Sequence, residues 1–351
     1  MCIRDRPIIP EIKATYINKS KNKQNKEDGL YSFINRENYR DIKGIFTLTT
    51  LSDAIEIKSY IEKNRIKKVS ILGGGLIGLK SSEAFLEMGV SIDIIELADR
   101  ILAATFDREA SDIIEKKIIS KGSSIYENNT IEEIYITDGK ISGCRLKDGR
   151  KIKCALLIIA IGVNPDINFI KNGELKIRKG IVVDNFMRTS AKNIYAAGDV
   201  VEAYDILLSE NRNIAIWPLA VRQGAVAGIN MAGGNAKYSG GFFMNSVEIL
   251  QIPTISMGLT GVKEKEEKSI EVLKDYNPEK NRYKKVVIRD NKIVGLIMVG
   301  NIERAGIYAG LIKNGIDISS VKDNISREDF GIINLPADYK KHLVVGEGIE
   351  V

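Results

Sequence analysis

A chain of 351 residues has room for two or three domains with their own cores, and its 44% hydrophobic and 28% charged content is that of a soluble globular protein. The net charge of +6 is small for this length, and the lysines are spread out without interleaved aromatics, so nucleic acid is not expected as a partner. No apolar run approaches the length of a membrane span, no signal peptide is visible, and the single histidine, His342, leaves no His-centred triad or His-rich metal site to assemble.

From the N-terminus, Met1 to Arg6 matches neither a helix cap nor a strand and abuts Pro7-Ile8-Ile9-Pro10 abruptly, which reads as an expression or sequencing scar. Residues 18–29 form a Lys/Asn-rich polar tract expected to be a surface loop. Apolar pattern returns with a strand over 45–49, followed by a helix that Ser52 is expected to cap and that runs to about Asn64. Lys68 to Leu72 is a short β-branched apolar run, read as a buried strand. It enters Gly73-Gly74-Gly75-Leu76-Ile77-Gly78, then a helix over 79–88, then a second strand over 90–95 that ends in Glu96. This is a βαβ unit with a G-x-G-x-x-G turn and an acid about twenty residues further on. In such a unit the first glycine turns the chain, Gly75 lets a pyrophosphate approach the backbone, and Gly78 lets the helix pack close. The helix N-terminus offers N–H groups and partial positive charge to phosphates. Glu96 can accept from a ribose 2′-hydroxyl and would repel a 2′-phosphate, which favours NADH over NADPH.

An amphipathic helix is predicted over 107–121, then strands near 131–137, 140–147 and 150–154, with Asp138-Gly139 and Asp148-Gly149 as hairpin turns. Cys144 and Cys154 fall in these strands and read as small buried hydrophobes. With Cys2 they form no CxxC pair and no zinc pattern, which suits the reducing cytoplasm. Ala155 to Ala160 is a continuous apolar run fit for a strand buried on both faces, ending at Ile161-Gly162-Val163-Asn164-Pro165. Strands are then predicted over 180–184 and over 189–199, the latter closing on Gly198-Asp199. Trp217-Pro218-Leu219-Ala220 opens a helix expected from about Val221 to Met231. Beyond Gly240-Gly241 the pattern gives strands near 246–251, 254–259, 268–275, 281–288 and 292–299, a helix over 303–314 and an irregular tail.

Three separated motifs, Gly73 to Gly78 with Glu96, Ala160 to Pro165, and Tyr195-Ala196-Ala197-Gly198-Asp199, resemble those of the flavin- and pyridine-nucleotide-dependent oxidoreductases of the disulfide-reductase superfamily. The likeness covers residues 7–351 and is strongest to the branch with NADH–rubredoxin reductases, NADH oxidases and the flavin portion of nitrite reductase. It implies an α/β fold of two interleaved Rossmann-like domains, for FAD and NAD, plus a small α+β C-terminal domain. On this chain the expected divisions are 1–59 as scar, FAD-domain remnant and linker, 60–185 as the NAD domain, 186–239 as the second half of the FAD domain, and 240–351 as a dimerisation or acceptor domain. The resemblance assigns the FAD ribityl chain to Asp199, with Gly198 permitting close approach. It directs the backbone N–H groups of Leu219 and Ala220, after Pro218, to the flavin pyrimidine, and it places Ile161 and Gly162 beside the nicotinamide.

Two departures from the family pattern stand out. No strand, glycine turn and helix for the FAD adenosine precede residue 60, so the sequence is expected to be an N-terminally truncated one, short by roughly a hundred residues. Lys80 stands on what is expected to be the first turn of the helix, where many relatives carry Glu. It either neighbours the nicotinamide–flavin junction or snorkels outward. The function implied is an FAD-dependent NADH oxidoreductase passing electrons to a small redox protein of rubredoxin or ferredoxin type, or to a small-molecule acceptor. NADH oxidase and thiol/disulfide reductase are the enzyme alternatives, and a non-catalytic NAD-binding module or an electron-input subunit of a complex is the alternative of another class. A homodimer is a further expectation.

Overall fold

A computed structural model describes residues 5–17, 31–170, 173–262, 269–336 and 339–340. Cys2, the tract over 18–29 and His342 lie outside the described residues. The chain divides into two compact units, Asp5–Ala104 with Ile114–Asn164, and Thr105–Ile113 with the chain from Pro165 onward.

The first unit is built on a five-stranded parallel sheet in the order Ile45–Thr47, Leu157–Ile159, Lys68–Leu72, Ser91–Ile95, Ser124–Tyr126. Parallel strands need helical crossovers, and Leu51–Asn64, Leu76–Glu87 and Arg108–Ser120 supply the helices. Leu157–Ile159 is buried at every residue, as its unbroken apolar run requires of a strand covered on both faces. The hairpins at Asp138-Gly139 and Asp148-Gly149 form as expected, but their sheet is larger than the sequence suggested. Its order is Lys151–Lys153, Lys140–Leu146, Ile131–Thr137, Ile12–Tyr16, Tyr31–Ile34. Ile12–Tyr16 sits next to its centre strand, pairing Ala14 with Ile134 in parallel, and Ile12 and Ala14 are buried in the core. One buried cluster joins both sheets, with Ile12, Ile34 and Ile134 on one side and Leu72, Ile95 and Ile159 on the other. Asp5–Pro7, which overlaps the end of the expected scar at Asp5 and Arg6, pairs as a strand with Val163–Pro165, and the Ile8 N–H donates to the Gly162 carbonyl at 3.0 Å.

The second unit contains a small sheet of Ile181–Val182, Val201–Asp205 and Glu210–Arg212 with the helix Trp217–Met231, and a five-stranded antiparallel sheet. The latter runs Met244–Ile249, Ile252–Gly258, Lys292–Val299, Arg282–Arg289, Ile270–Asn277. The helix Ala305–Asn314 packs Tyr308, Leu311 and Ile312 into the cluster formed with Leu296 and Met298.

Three sequence expectations are corrected here. The cap of Leu51–Asn64 is Thr50, not Ser52: the Thr50 side chain accepts from the Asp53 N–H at 3.1 Å, and Asp53 accepts from the Thr50 N–H at 2.9 Å. That reciprocal pair satisfies two orphan donors, and Ser52, inside the helix, can satisfy neither. Residues 189–199 do not form a strand. Thr189 donates to Ile194 through both its N–H and its hydroxyl, Asn193 adopts φ +62°, and only an isolated Arg188–Tyr195 bridge remains. Side-chain hydrogen bonds from Ser, Thr and Asn compete with a ladder in this way. The strand follows instead at Val201–Asp205. The helix expected from Val221 begins at Trp217 with Pro218 in its first turn, where a missing N–H costs nothing.

Candidate dinucleotide and flavin sites

The strand Lys68–Leu72 delivers the chain to Gly73, whose N–H donates to the Ile95 carbonyl at 2.8 Å and whose φ of +113° falls in the glycine-favoured region. A Cβ there would lie 2.4 Å from the Ala160 carbonyl oxygen, so this turn and the end of Leu157–Ile159 touch backbone to backbone. At Gly78 a Cβ would lie 2.1 Å from the Gly73 carbonyl oxygen, which is why helix and turn can close on each other only through glycine. Gly75, by contrast, faces open space, and it caps Leu76–Glu87 without any side-chain cap. Bare backbone, an uncapped helix N-terminus and room above it suit a pyrophosphate.

Glu96, half-buried at the end of Ser91–Ile95, accepts from the Gly74 N–H at 2.6 Å and from the Ala98 N–H at 2.8 Å, one to each oxygen. The acid therefore braces the glycine turn, while each oxygen keeps a second lone pair for a ligand hydroxyl. Sequence reasoning missed the support behind it. Leu102, buried at φ +54°, donates its N–H to the Gly74 carbonyl at 2.9 Å, and the Ile101 N–H donates to the buried Glu115 carboxylate at 3.3 Å. No local signal announces a leucine in the left-handed region. Lys80 falls in the second turn of Leu76–Glu87, not the first, because the helix begins at Leu76. Its ammonium pairs with Glu83 one turn on, and its side chain is 48% exposed. Ile161 is exposed and Gly162 lies against Ile8.

In the second unit, the Gly198 N–H donates to Gln223 Oε1 at 2.9 Å, tying the Gly198-Asp199 turn to the helix Trp217–Met231. Asn213 Nδ2 donates to the Asp199 carbonyl at 2.6 Å and to the Val201 carbonyl at 2.9 Å. Gln223 and Asn213 carried no sequence signal, because their role is defined only by backbone brought to them from elsewhere. The Asp199 carboxylate itself has no donor among the described residues, and burial pushes its pKa up. A half-buried acid without a donor beside bare backbone fits a group that brings hydroxyls, as a ribityl chain does. The N–H groups of Leu219 and Ala220 both donate to the Ile216 carbonyl, at 3.2 and 3.1 Å. With no N–H on Pro218, the exposed Trp217 supplies the other backbone donor of that turn, and the field of the helix N-terminus remains. The described cysteines, Cys144 and Cys154, are both buried and unbridged, as expected from sequence. No described helix is long and apolar enough to cross a membrane, and no described cluster of His, Cys, Asp and Glu could hold a metal ion.

Comparison with known proteins shows the family. The family model for pyridine nucleotide-disulphide oxidoreductases matches residues 35–224, and that for the rubredoxin NAD+ reductase C-terminal domain matches residues 244–316. An NADH–rubredoxin oxidoreductase of Clostridium acetobutylicum is 31% identical over 291 residues, covering 83% of this chain and 68% of that protein. An NAD(P)H sulfur oxidoreductase (CoA-dependent) of Pyrococcus furiosus is 32% identical over 236 residues, 64% of this chain and 50% of the relative. The chain thus spans about half the length of the first curated relatives it matches. Among solved structures, an NAD-dependent persulfide reductase from A. fulgidus superposes with a TM-score of 0.73 at 25% identity, over 81% of this chain and 55% of that one. The chain belongs to the pyridine nucleotide-disulphide oxidoreductase family.

Proposed function

We propose that the protein is an FAD-dependent NADH oxidoreductase that delivers electrons to a small redox protein of rubredoxin or ferredoxin type. The observation that carries this reading is the pairing of two distinct cradles on one chain, the Gly73–Gly78 turn with Glu96 and the Gly198-Asp199 turn with the helix Trp217–Met231. To these is joined a C-terminal domain of the type found in rubredoxin reductases. The first cradle would hold NADH, with the pyrophosphate on the bare backbone at Gly75 and the ribose hydroxyls on Glu96, and with Ile161 and Gly162 beside the nicotinamide. The second would hold FAD, with the ribityl hydroxyls on the Asp199 carboxylate. When bound, the pair supplies hydride transfer from the dihydronicotinamide to the isoalloxazine and release of electrons to an acceptor. The chain's residues bind, orient and exclude water; no side-chain acid or base is required of them.

Among the enzyme alternatives, a thiol or persulfide reductase needs an accessible thiol. Cys144 and Cys154 are buried, so neither is that thiol, and the choice among acceptors rests on the test below. The C-terminal domain is the expected docking or homodimer face, and unbridged cysteines accord with the cytoplasm. The test is the visible spectrum of the FAD-loaded protein before and after anaerobic NADH, followed by addition of oxidised rubredoxin. Bleaching of the flavin band by NADH and its return with rubredoxin are expected. Failure to retain flavin even when the expected N-terminal FAD segment is in place would refute the redox mechanism and leave an NAD-binding module. Bleaching that rubredoxin does not reverse, but oxygen does, would select the oxidase.

A further inference from the structure

A cavity of about 360 Å³ opens in the first unit, between the strand Ile45–Thr47, the helix Leu51–Asn64 and the turn at Lys140. None of its walls belongs to the glycine turn, and its volume is that of a small-molecule pocket. Ile45, Phe46 and Tyr60 form an apolar side, and the Phe46 and Tyr60 rings meet edge to face at 5.3 Å and 65°. The Tyr60 hydroxyl has no hydrogen-bond partner among the described residues.

The charges around this surface are sorted by sign along the helix. At its N-terminal end the cavity meets Asp53, Glu56 and Arg40. Asp53 and Arg40 offset each other, leaving Glu56 as a net negative charge at this end: Asp53 accepts from the Thr49 and Thr50 N–H groups, and Arg40 Nη2 lies 3.4 Å from Asp53. At the C-terminal end stand Lys63, Lys140 and Lys43. Lys140 Nζ reaches Asn64 Oδ1 at 3.5 Å, and Lys43 is held beside Lys140 by a backbone bridge. Among the described residues no carboxylate lies within ion-pair distance of any of these three lysines. The helix C-terminus sets only about half an elementary charge against three ammonium groups. Excess positive charge at one end of an aromatic-walled cavity is complementary to a flat apolar body that carries an anion.

We propose that this cavity binds a small aromatic anion, with its ring system against Phe46 and Tyr60 and its phosphate or carboxylate among Lys43, Lys63 and Lys140. The Tyr60 hydroxyl supplies a neutral donor to the same ligand. Such a site is separate from the dinucleotide turn, so both are occupied together.

The probe is 1-naphthyl phosphate, followed by its own fluorescence with the whole protein saturated in NAD+. Saturable one-to-one binding is expected, weaker for neutral 1-naphthol and weaker at high salt. Lys43→Gln and Lys63→Gln should each weaken the phosphate by about fivefold, the reach of a solvent-facing ion pair. Phe46→Leu, which keeps the strand and most of the volume, should weaken naphthol and naphthyl phosphate alike. Absence of saturable binding, displacement of the probe by NAD+, or affinity indifferent to salt and to both lysine substitutions would each overturn the proposal.

Discussion

Glu96 braces the glycine turn and is the acid proposed to meet the ribose. Its oxygens hold the N–H groups of Gly74 and Ala98, and in the proposed reading the same oxygens accept from a ribose hydroxyl. Removing it should therefore loosen the turn for either dinucleotide while lifting repulsion of a 2′-phosphate. In Glu96→Ala, kcat/KM for NADH should fall about tenfold and that for NADPH should fall less or rise, each tenfold being about 1.4 kcal/mol. Steady-state kinetics with both dinucleotides measure it, and an unchanged NADH/NADPH ratio would remove the ribose from Glu96. Asp199 makes a pH-dependent statement of the same kind. Burial raises its pKa on folding, so its contribution to stability is fully present below the unfolded value, near 3.9, and is lost as pH rises through the folded value. Ribityl hydroxyls donating to the ionised form would offset that loss. The gain in melting temperature on loading FAD should accordingly grow as pH is raised from about 4, and should become flat with pH in Asp199→Asn. A gain that is already flat in the unsubstituted protein argues against Asp199 as the ribityl partner.

Among the elements, Leu51–Asn64 shows how a cap is chosen. Thr50 and Ser52 both qualify by residue type, but only Thr50 sits where its oxygen meets the Asp53 N–H with Asp53 answering. Thr50→Ala should cost about 1 kcal/mol in urea unfolding, and Ser52→Ala no more than about 0.5 kcal/mol. Equal costs would contradict the capping box. The antiparallel strands from Met244 to Val299 were legible because each is five residues or longer, β-rich and bounded by turns; their observed ends differ from the expected ones by only a residue or two. Tyr31–Ile34 and Glu210–Arg212 were not legible, being too short to carry a period. Residues 189–199 misled for another reason. Apolar residues there face a core formed with Val183, Val201 and Ala227 while the backbone turns rather than extends, so burial pattern and conformation part company.

At the scale of the whole molecule, the two compact units have separate buried clusters, one joining the parallel and mixed sheets, others within the chain from Pro165 onward. Calorimetry should resolve more than one transition, and NAD+ at about a hundred times its Kd should raise the transition of the unit that carries the glycine turn by about 2.7 kcal/mol. A single transition shifted as one would show that the units unfold together. The sequence alone determined what short-range pattern can encode: the βαβ unit around Gly73–Gly78, the hairpins at Asp138-Gly139 and Asp148-Gly149, the C-terminal strand succession and the three motifs that mark the family. Tertiary structure decided what depends on partners far along the chain. It set Ile12–Tyr16 against Ile131–Thr137 and turned Glu96 onto Gly74. It also left Asp199 half-buried without a donor among the described residues, and gathered Lys43, Lys63 and Lys140 at one end of a cavity. Backbone propensity and hydrophobic period act over a few residues, whereas pairing, burial of a charge and the shape of a cavity exist only once distant segments have met.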